Sequence, residues 1–228
     1  MNGARTSIAV ADEEGARVEL FARDGAFDVE IGGRIVVATD KQHANQPFAE
    51  LALALWAGRD DISVILGGLG SGLLLKEVLA GPGVIRADVV EASASVIAWE
   101  REHFAALNGG ASADPRVRVH HGELAAFVQA PHPDGPPDGW SAILLDTDEA
   151  PDLLSRRGNA VFYTDDGLNL LAEPLRGGGV VSLWTTHKDD DLYKRMHRKF
   201  QNVARIGAAG DQGLVYIYRG RRGPRRAS

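Results

Sequence analysis

At 228 residues, 44% hydrophobic and 25% charged, the chain has the make-up of an ordinary soluble globular protein, long enough for one substantial domain and a small appendage. It contains no cysteine, which excludes disulfides, thiolate metal sites and cysteine nucleophiles, and its net charge of −6 argues against general attraction to nucleic acid or an anionic membrane. No apolar run reaches the ~18 residues a membrane span needs, and MNGARTSIAVADEEG lacks the layout of a signal peptide, so a cytoplasmic protein is expected.

Residues 17–38 read as two or three short strands broken by the turn signals Asp24-Gly25 and Gly32-Gly33, a small β cap. QPFAELALALWAG then has a helical pattern, with Pro47 in its first turn and Gly58 ending it. From Asp61 onward apolar runs at 62–66, 87–90, 117–119, 142–145 and 180–183 alternate with helical segments at 72–81, 93–107, 122–129 and 164–175, with a further helix at 189–200. This alternation predicts an α/β fold with a mostly parallel sheet covered by helices on both faces, and GLVYIYRG adds a final, antiparallel strand. Residues 131–139, PHPDGPPDG, carry four prolines and two glycines and must form a loop. The Arg-rich end, YRGRRGPRRAS, reads as a solvated tail.

Gly68, Gly70 and Gly72 follow the first strand of this alternation. In an open α/β sheet, ligands collect beyond the carboxyl ends of the strands, where glycine lets them approach the backbone and a helix N-terminus offers free N–H groups. Glu91 ends the next strand 19 residues after Gly72, the spacing of an acid that accepts hydrogen bonds from ribose hydroxyls. The layout suits either a dinucleotide or an adenosyl ligand, although G-x-G-x-G departs from the dinucleotide pattern. Glu123 opens the helix after the third strand, where a carboxylate can accept an adenine amine or complement the helix dipole. His120 and His121 are adjacent on a strand and point to opposite faces, so no metal site is expected there. The fourth strand ends in ILLDTDEAP, where Asp146, Asp148 and Glu149 crowd three carboxyl groups, a setting that raises a carboxyl pKa or holds a cationic substrate. Asp146, nearest the strand end, is the acid expected at the reacting centre. The four tryptophans read as core or pocket-wall residues.

The order LGGLGSG, VVEASASVIAWE, DPRVRVHHGE, ILLDTDEAP and FYTDDGLNLLAEPLRGGGVVSLW resembles the spermidine synthase-like (polyamine aminopropyltransferase-like) branch of the class I S-adenosylmethionine-binding transferases, from about residue 17 to 200. The resemblance implies a Rossmann-like class I methyltransferase fold: a β cap over residues 1–45, a seven-stranded S-adenosylmethionine-binding domain over 46–219, and a basic tail over 220–228. It implies ribose binding by Glu91, adenine binding by Glu123 and catalysis by Asp146 with Glu149, with Tyr163 of the gate lining the substrate pocket; Gly68, Gly70 and Gly72 are read as cofactor-binding, and Asp148 and Gln46 as substrate contacts. Tyr163 would lie in a gate, LLSRRGNAVFYT, where an aromatic can equally pack as core, and His43, Asn45 and Gln46 can equally cap a helix. The family often dimerises, so a homodimer is one expectation it carries.

Two departures bear on chemistry: the family's tyrosine and histidine in the helix before the sheet are replaced by KQHANQPFAELA, and the glycine turn lacks an acid. Family members have Gly-Gly-Gly-Asp-Gly-Gly at the turn, with the aspartate anchoring the amino group of the aminopropyl donor, and Gly70 stands in that place here. The expectation is therefore a metal-independent transferase using S-adenosylmethionine to methylate a small, amine-bearing or other nucleophilic acceptor. Aminopropyl transfer from decarboxylated S-adenosylmethionine, and a non-catalytic adenosyl-ligand-binding protein, are the alternatives.

Overall fold

The computed structural model describes residues 5–40, 44–146, 157–210 and 213–224, with side chains at 157–159 outside the description. The N-terminal cap is a four-stranded antiparallel meander, β1 (Thr6–Glu13), β2 (Ala16–Arg23), β3 (Ala26–Ile31) and β4 (Arg34–Ala38). Each strand pair is closed by two residues with positive φ, such as Asp24 (41°) and Gly25 (80°), the backbone twist that two-residue hairpins require. The sequence pattern anticipated only two or three of these strands. It missed β1, whose alternation is blurred because Ile8 and Val10 on its outer side are also apolar and are 44% and 53% exposed.

Helix α1 (Asn45–Leu53) leads into the main sheet, whose seven strands run in the order β10-β11-β9-β8-β5-β6-β7. These are β5 (Ile62–Gly67), β6 (Val84–Glu91), β7 (Val117–His121), β8 (Trp140–Leu145), β9 (Leu175–Thr185), β10 (Gln201–Gly210) and β11 (Gly213–Arg221). The sheet is mixed: β5 through β9 pair in parallel, while β9 with β11 and β11 with β10 pair antiparallel. β5 is apolar from Ile62 to Leu66 except at Ser63, whose N–H donates to Ser141 Oγ at 3.1 Å, and it is buried on both faces, as suits a central parallel strand. On one face α1 and α2 (Leu73–Ala80) pack through Phe48, Ala52, Leu75 and Val78; on the other α5 (Leu124–Gln129), α6 (Asp165–Ala172) and α7 (Asp190–Lys199) pack through Val128, Leu168 and Met196.

The helical segment expected over 93–107 is broken into α3 (Ala94–Trp99), a π-helical turn over Glu100–Phe104 and α4 (Ala105–Asn108). The helix expected to run to 175 stops at Ala172, because Leu175 already pairs with Trp140 as the first residue of β9. The tail expected from 220 also begins later. Gly220 and Arg221 complete β11, and Arg222 donates hydrogen bonds to the Glu173 carbonyl, at 3.0 Å, and to the Leu175 carbonyl.

The chain builds β5, β6 and β7 outward in one direction and then returns to place β8 on the other side of β5. The loops after β5 and β8 therefore flank the point where strand order reverses, the place where open α/β sheets collect ligands. The cap is fastened beside this point. Val18, Leu20, Val29 and Val37 of the cap share a core with Val96, Trp99 and Phe104, and the Ser95 N–H donates to Glu13 Oε1 at 2.7 Å.

Candidate active site

The turn after β5 is held by a carboxylate rather than left open. Glu91 Oε2 accepts the backbone N–H of Leu69 at 2.9 Å and of Gly70 at 3.5 Å, and Oε1 accepts that of Ser93 at 2.8 Å. A carboxylate offers about four lone-pair sites, so these three bonds leave one on Oε1 for a ribose hydroxyl. The same bonds bear on the two ligand classes left open above. In a diphosphate site the turn amides point at phosphate, whereas here two of them are committed to an anion that would repel it.

The three glycines serve different ends. Gly72 caps α2 with φ 73°, and a Cβ there would lie 2.5 Å from Asn108 Nδ2 and 2.8 Å from Glu100 Oε1. Asn108 is 2% exposed and uses its whole amide: Nδ2 donates to the Ser71 carbonyl at 2.9 Å and to Glu100 Oε1 at 2.7 Å, while Oδ1 accepts from Gly110 and Ala111. The turn is thus pinned from above by Glu91 and from below by this strut. Gly70 is different, because a Cβ on it would meet only Val37 Cγ2 of the cap, at 3.9 Å. Its side-chain space is open.

Asp146 follows directly on β8. Its N–H donates to the Gly67 carbonyl at 3.4 Å, and its own carbonyl lies 3.8 Å from where a Cβ on Gly68 would be, so the acid and the glycine turn abut. Burial raises its carboxyl pKa above the ordinary carboxylate range, opposed by a hydrogen bond from the Trp184 indole to Oδ1. Gly67 makes this closeness feasible, since a Cβ there would fall 2.6 Å from a Leu145 methyl and 2.7 Å from a Leu124 methyl.

The remaining expected residues disperse. Glu123 is exposed at the N-cap of α5, one residue beyond Gly122, whose N–H donates to the Glu91 carbonyl at 2.9 Å, so it borders the same strand ends. Tyr163 is 3% exposed and packs in the core with Phe162 and Leu168; packing, the alternative left open for it, describes its place better than a pocket wall. Gln46 is exposed and donates to Glu50 Oε1 at 2.9 Å. It lines a groove between α1 and α2 that shares no residue with the glycine turn, Glu91 or Asp146. Asp148, Glu149 and His43 lie outside the described residues, as does most of the gate before residue 157.

His120 has a structural partner. Its Nε2 lies 2.9 Å from Oδ1 of Asp88, a fully buried carboxylate that also accepts from Arg86 and from the Trp140 indole. Burial pushes the Asp88 pKa up, but the bonds from Arg86, His120 and Trp140 together outweigh it and hold it below the ordinary carboxylate range. Among the described residues no group of three His, Cys, Asp or Glu side chains is placed to hold a metal ion.

Sequence reasoning passed over Asn108 and Gly67, and read Trp184 only as a core or pocket-wall residue without its bond to Asp146. Trp184 could have been found from its place at the carboxyl end of the strand beside β8; the other two carry no local signal, because their roles exist only across the fold.

No family model matches the chain. It is 29% identical over 153 residues to polyamine aminopropyltransferase 2 of Pseudomonas aeruginosa, an alignment covering 66% of this chain and 42% of that protein. It is 30% identical over 143 residues to a polyamine aminopropyltransferase of Korarchaeum cryptofilum, covering 62% and 39%, and 31% identical over 149 residues to putrescine N-methyltransferase 2 of Nicotiana attenuata, covering 60% and 36%. The chain thus spans about two fifths of the length of the curated relatives it matches. Among solved structures, a spermidine synthase in complex with the transition-state analogue AdoDATO superposes with a TM-score of 0.74 at 17% identity, covering 95% of this chain and 72% of that one. The spermidine synthase of Thermotoga maritima gives 0.73 at 17%, covering 95% and 73%. By sequence the chain is a relative of the polyamine aminopropyltransferases, and by fold it is spermidine synthase-like.

Proposed function

We propose that this protein transfers an alkyl group from an adenosyl sulfonium to an amine, and that the group is the aminopropyl unit of decarboxylated S-adenosylmethionine. The observation that carries this reading is the abutment of Asp146 on the glycine turn, with Glu91 bonded into the same turn. Two of the relatives above are aminopropyltransferases, which moves the weight away from the methyl transfer expected from the sequence.

When bound, the donor supplies a carbon beside a sulfonium, from which a neutral thioether can leave. The protein's part is mainly placement. Glu91 holds the ribose, the bare turn admits the sulfur-bearing chain, and Asp146 stands one strand away to receive the proton the attacking amine gives up. Holding nucleophile and carbon in line can supply about 7–11 kcal/mol of the barrier. Burial makes Asp146 a stronger base than an exposed carboxylate, which suits it to an ammonium acceptor.

The test is incubation of purified protein and putrescine with each donor, S-adenosylmethionine or its decarboxylated form, followed by mass spectrometry. Spermidine is the expected product. N-methylputrescine would instead favour methyl transfer, the second reading, which two observations keep in view: the missing side chain at Gly70 and the N-methyltransferase among the relatives. Donor binding without turnover of any amine would favour a non-catalytic role.

A further inference from the structure

Trp184 stands opposite Asp146. Leu145 and Leu183 form the last registered pair between β8 and β9, so the next residue on each strand is Asp146 and Trp184 respectively. Both lie on the α1/α2 face of the sheet, and the Trp184 ring packs against the core that includes Phe48 and Leu69. β9 is bonded on both sides here, since Trp184 also pairs with Ile217 of β11. The indole is therefore a donor mounted on a central strand, with its ring held by the core. An indole N–H can only donate, so its natural partner is an ionised oxygen, and such charge-assisted bonds are among the stronger ones.

Resting on the reading above, we propose that Trp184 is a positioning residue for Asp146: its N–H holds Oδ1 and thereby presents Oδ2 to the acceptor amine. The carboxylate is fixed in one rotamer before the amine arrives, and a single oxygen is left to take the proton. Burial alone would push Asp146 toward its neutral form, which cannot act as a base, and the indole bond works against that tendency. No other described side chain donates to Asp146 in the hydrogen bonds that the structure shows.

Trp184→Phe keeps an aromatic ring against the core but loses the N–H, and Trp184→His returns a ring N–H. With decarboxylated S-adenosylmethionine and putrescine, the Phe variant should lose roughly 10- to 100-fold in kcat, as a misplaced catalytic group does. Its affinity for the donor, read by calorimetry, should stay within about twofold of wild type, and the His variant should recover part of kcat. Unchanged kcat, or a loss accounted for by weaker donor binding, would overturn the inference while leaving the proposed function standing. The Trp184 indole N–H resonance, assigned by its disappearance in Trp184→Phe, gives a readout without turnover: it should move in Asp146→Leu, and a resonance that stays put would refute the pairing whatever the activity. Wild-type protein inactive with every donor and amine would instead overturn the proposed function, and the positioning role with it.

Discussion

Gly70→Asp is the substitution that most directly tests how the turn meets its ligand. A Cβ at this position meets only Val37 Cγ2, at 3.9 Å, so a carboxylate fits without displacing backbone. The backbone cost is modest: φ is 52°, in the left-handed region, where a side chain costs about 1–2 kcal/mol and Asp is among the better tolerated residues. In a chain of this size that corresponds to a Tm lower by about 2–8 °C. The gain is a charge-assisted hydrogen bond to the ammonium of the aminopropyl chain, about 1.5–3 kcal/mol, or roughly 10- to 150-fold in Kd. S-adenosylmethionine carries a carboxylate at that end and should gain less or lose affinity. Calorimetric titration of wild type, Gly70→Asp and Gly70→Asn with both donors separates the effects, because the Asn variant shares the backbone strain and lacks the charge. The expected result is a preference for the decarboxylated donor that rises at least about tenfold in the Asp variant alone. If Asp and Asn shift the two donors equally, the ligand's amino end does not lie over residue 70, and the placement of the donor against this turn is wrong.

Asp146→Asn should lower turnover about 10²- to 10⁴-fold, as loss of a general base does, while stabilising the fold. Burial raises the folded-state pKa of Asp146, so its ionised form withdraws stability above that pKa and none below the unfolded value near ~3.9; the variant's Tm should exceed wild type at pH 7, with the gap closing toward pH 4. A lower Tm at pH 7 would count against this. Asp88→Asn should behave in the opposite way: the folded pKa is depressed, so its contribution is present above about pH 4 and lost as pH falls below it, and urea denaturation at pH 7 should show a loss of about 3 kcal/mol that narrows toward pH 3. A loss independent of pH would mean that packing, and not charge, is what Asp88 supplies. Gly72→Ala should cost at least about 2 kcal/mol, from left-handed strain and from displacing the Asn108 amide, and should weaken donor binding with it; wild-type stability would show that the strut below the turn yields freely.

What could be read from the sequence was whatever repeats locally. The strands at 62–66, 87–90, 117–119 and 142–145 announced themselves because parallel strands of a covered sheet are mostly apolar, broken here only by Ser63, Asp88 and Arg118, and β5 to β8 lie where those runs do. The edges were harder. β10 is the outermost strand, and its GAAG end offers neither alternation nor β-branched residues, so nothing in QNVARIGAAG announced a ten-residue strand. The final turn of α6 was overextended because Leu175 continues the helical apolar pattern while in fact opening β9.

The site divides along the same line. The positions of Glu91 and Asp146 at strand ends were legible because a strand end after an apolar run is a place that periodicity can mark, and the fold brings such ends together at the reversal of strand order. What periodicity cannot carry is the choice of partner. That Glu91 spends three of its acceptor sites on backbone amides, that Asn108 reaches 37 residues back to hold Ser71, and that Trp184 turns its N–H to Asp146 are facts of distance between strands. They are also the facts that discriminate chemistry. A glycine turn with free amides would bind phosphate; the same turn with those amides tied to a carboxylate disfavours an anion and suits a cation. The proposed function therefore turns less on the glycines, which many nucleotide sites share, than on the acid that already accepts the N–H groups of Leu69 and Gly70 between them.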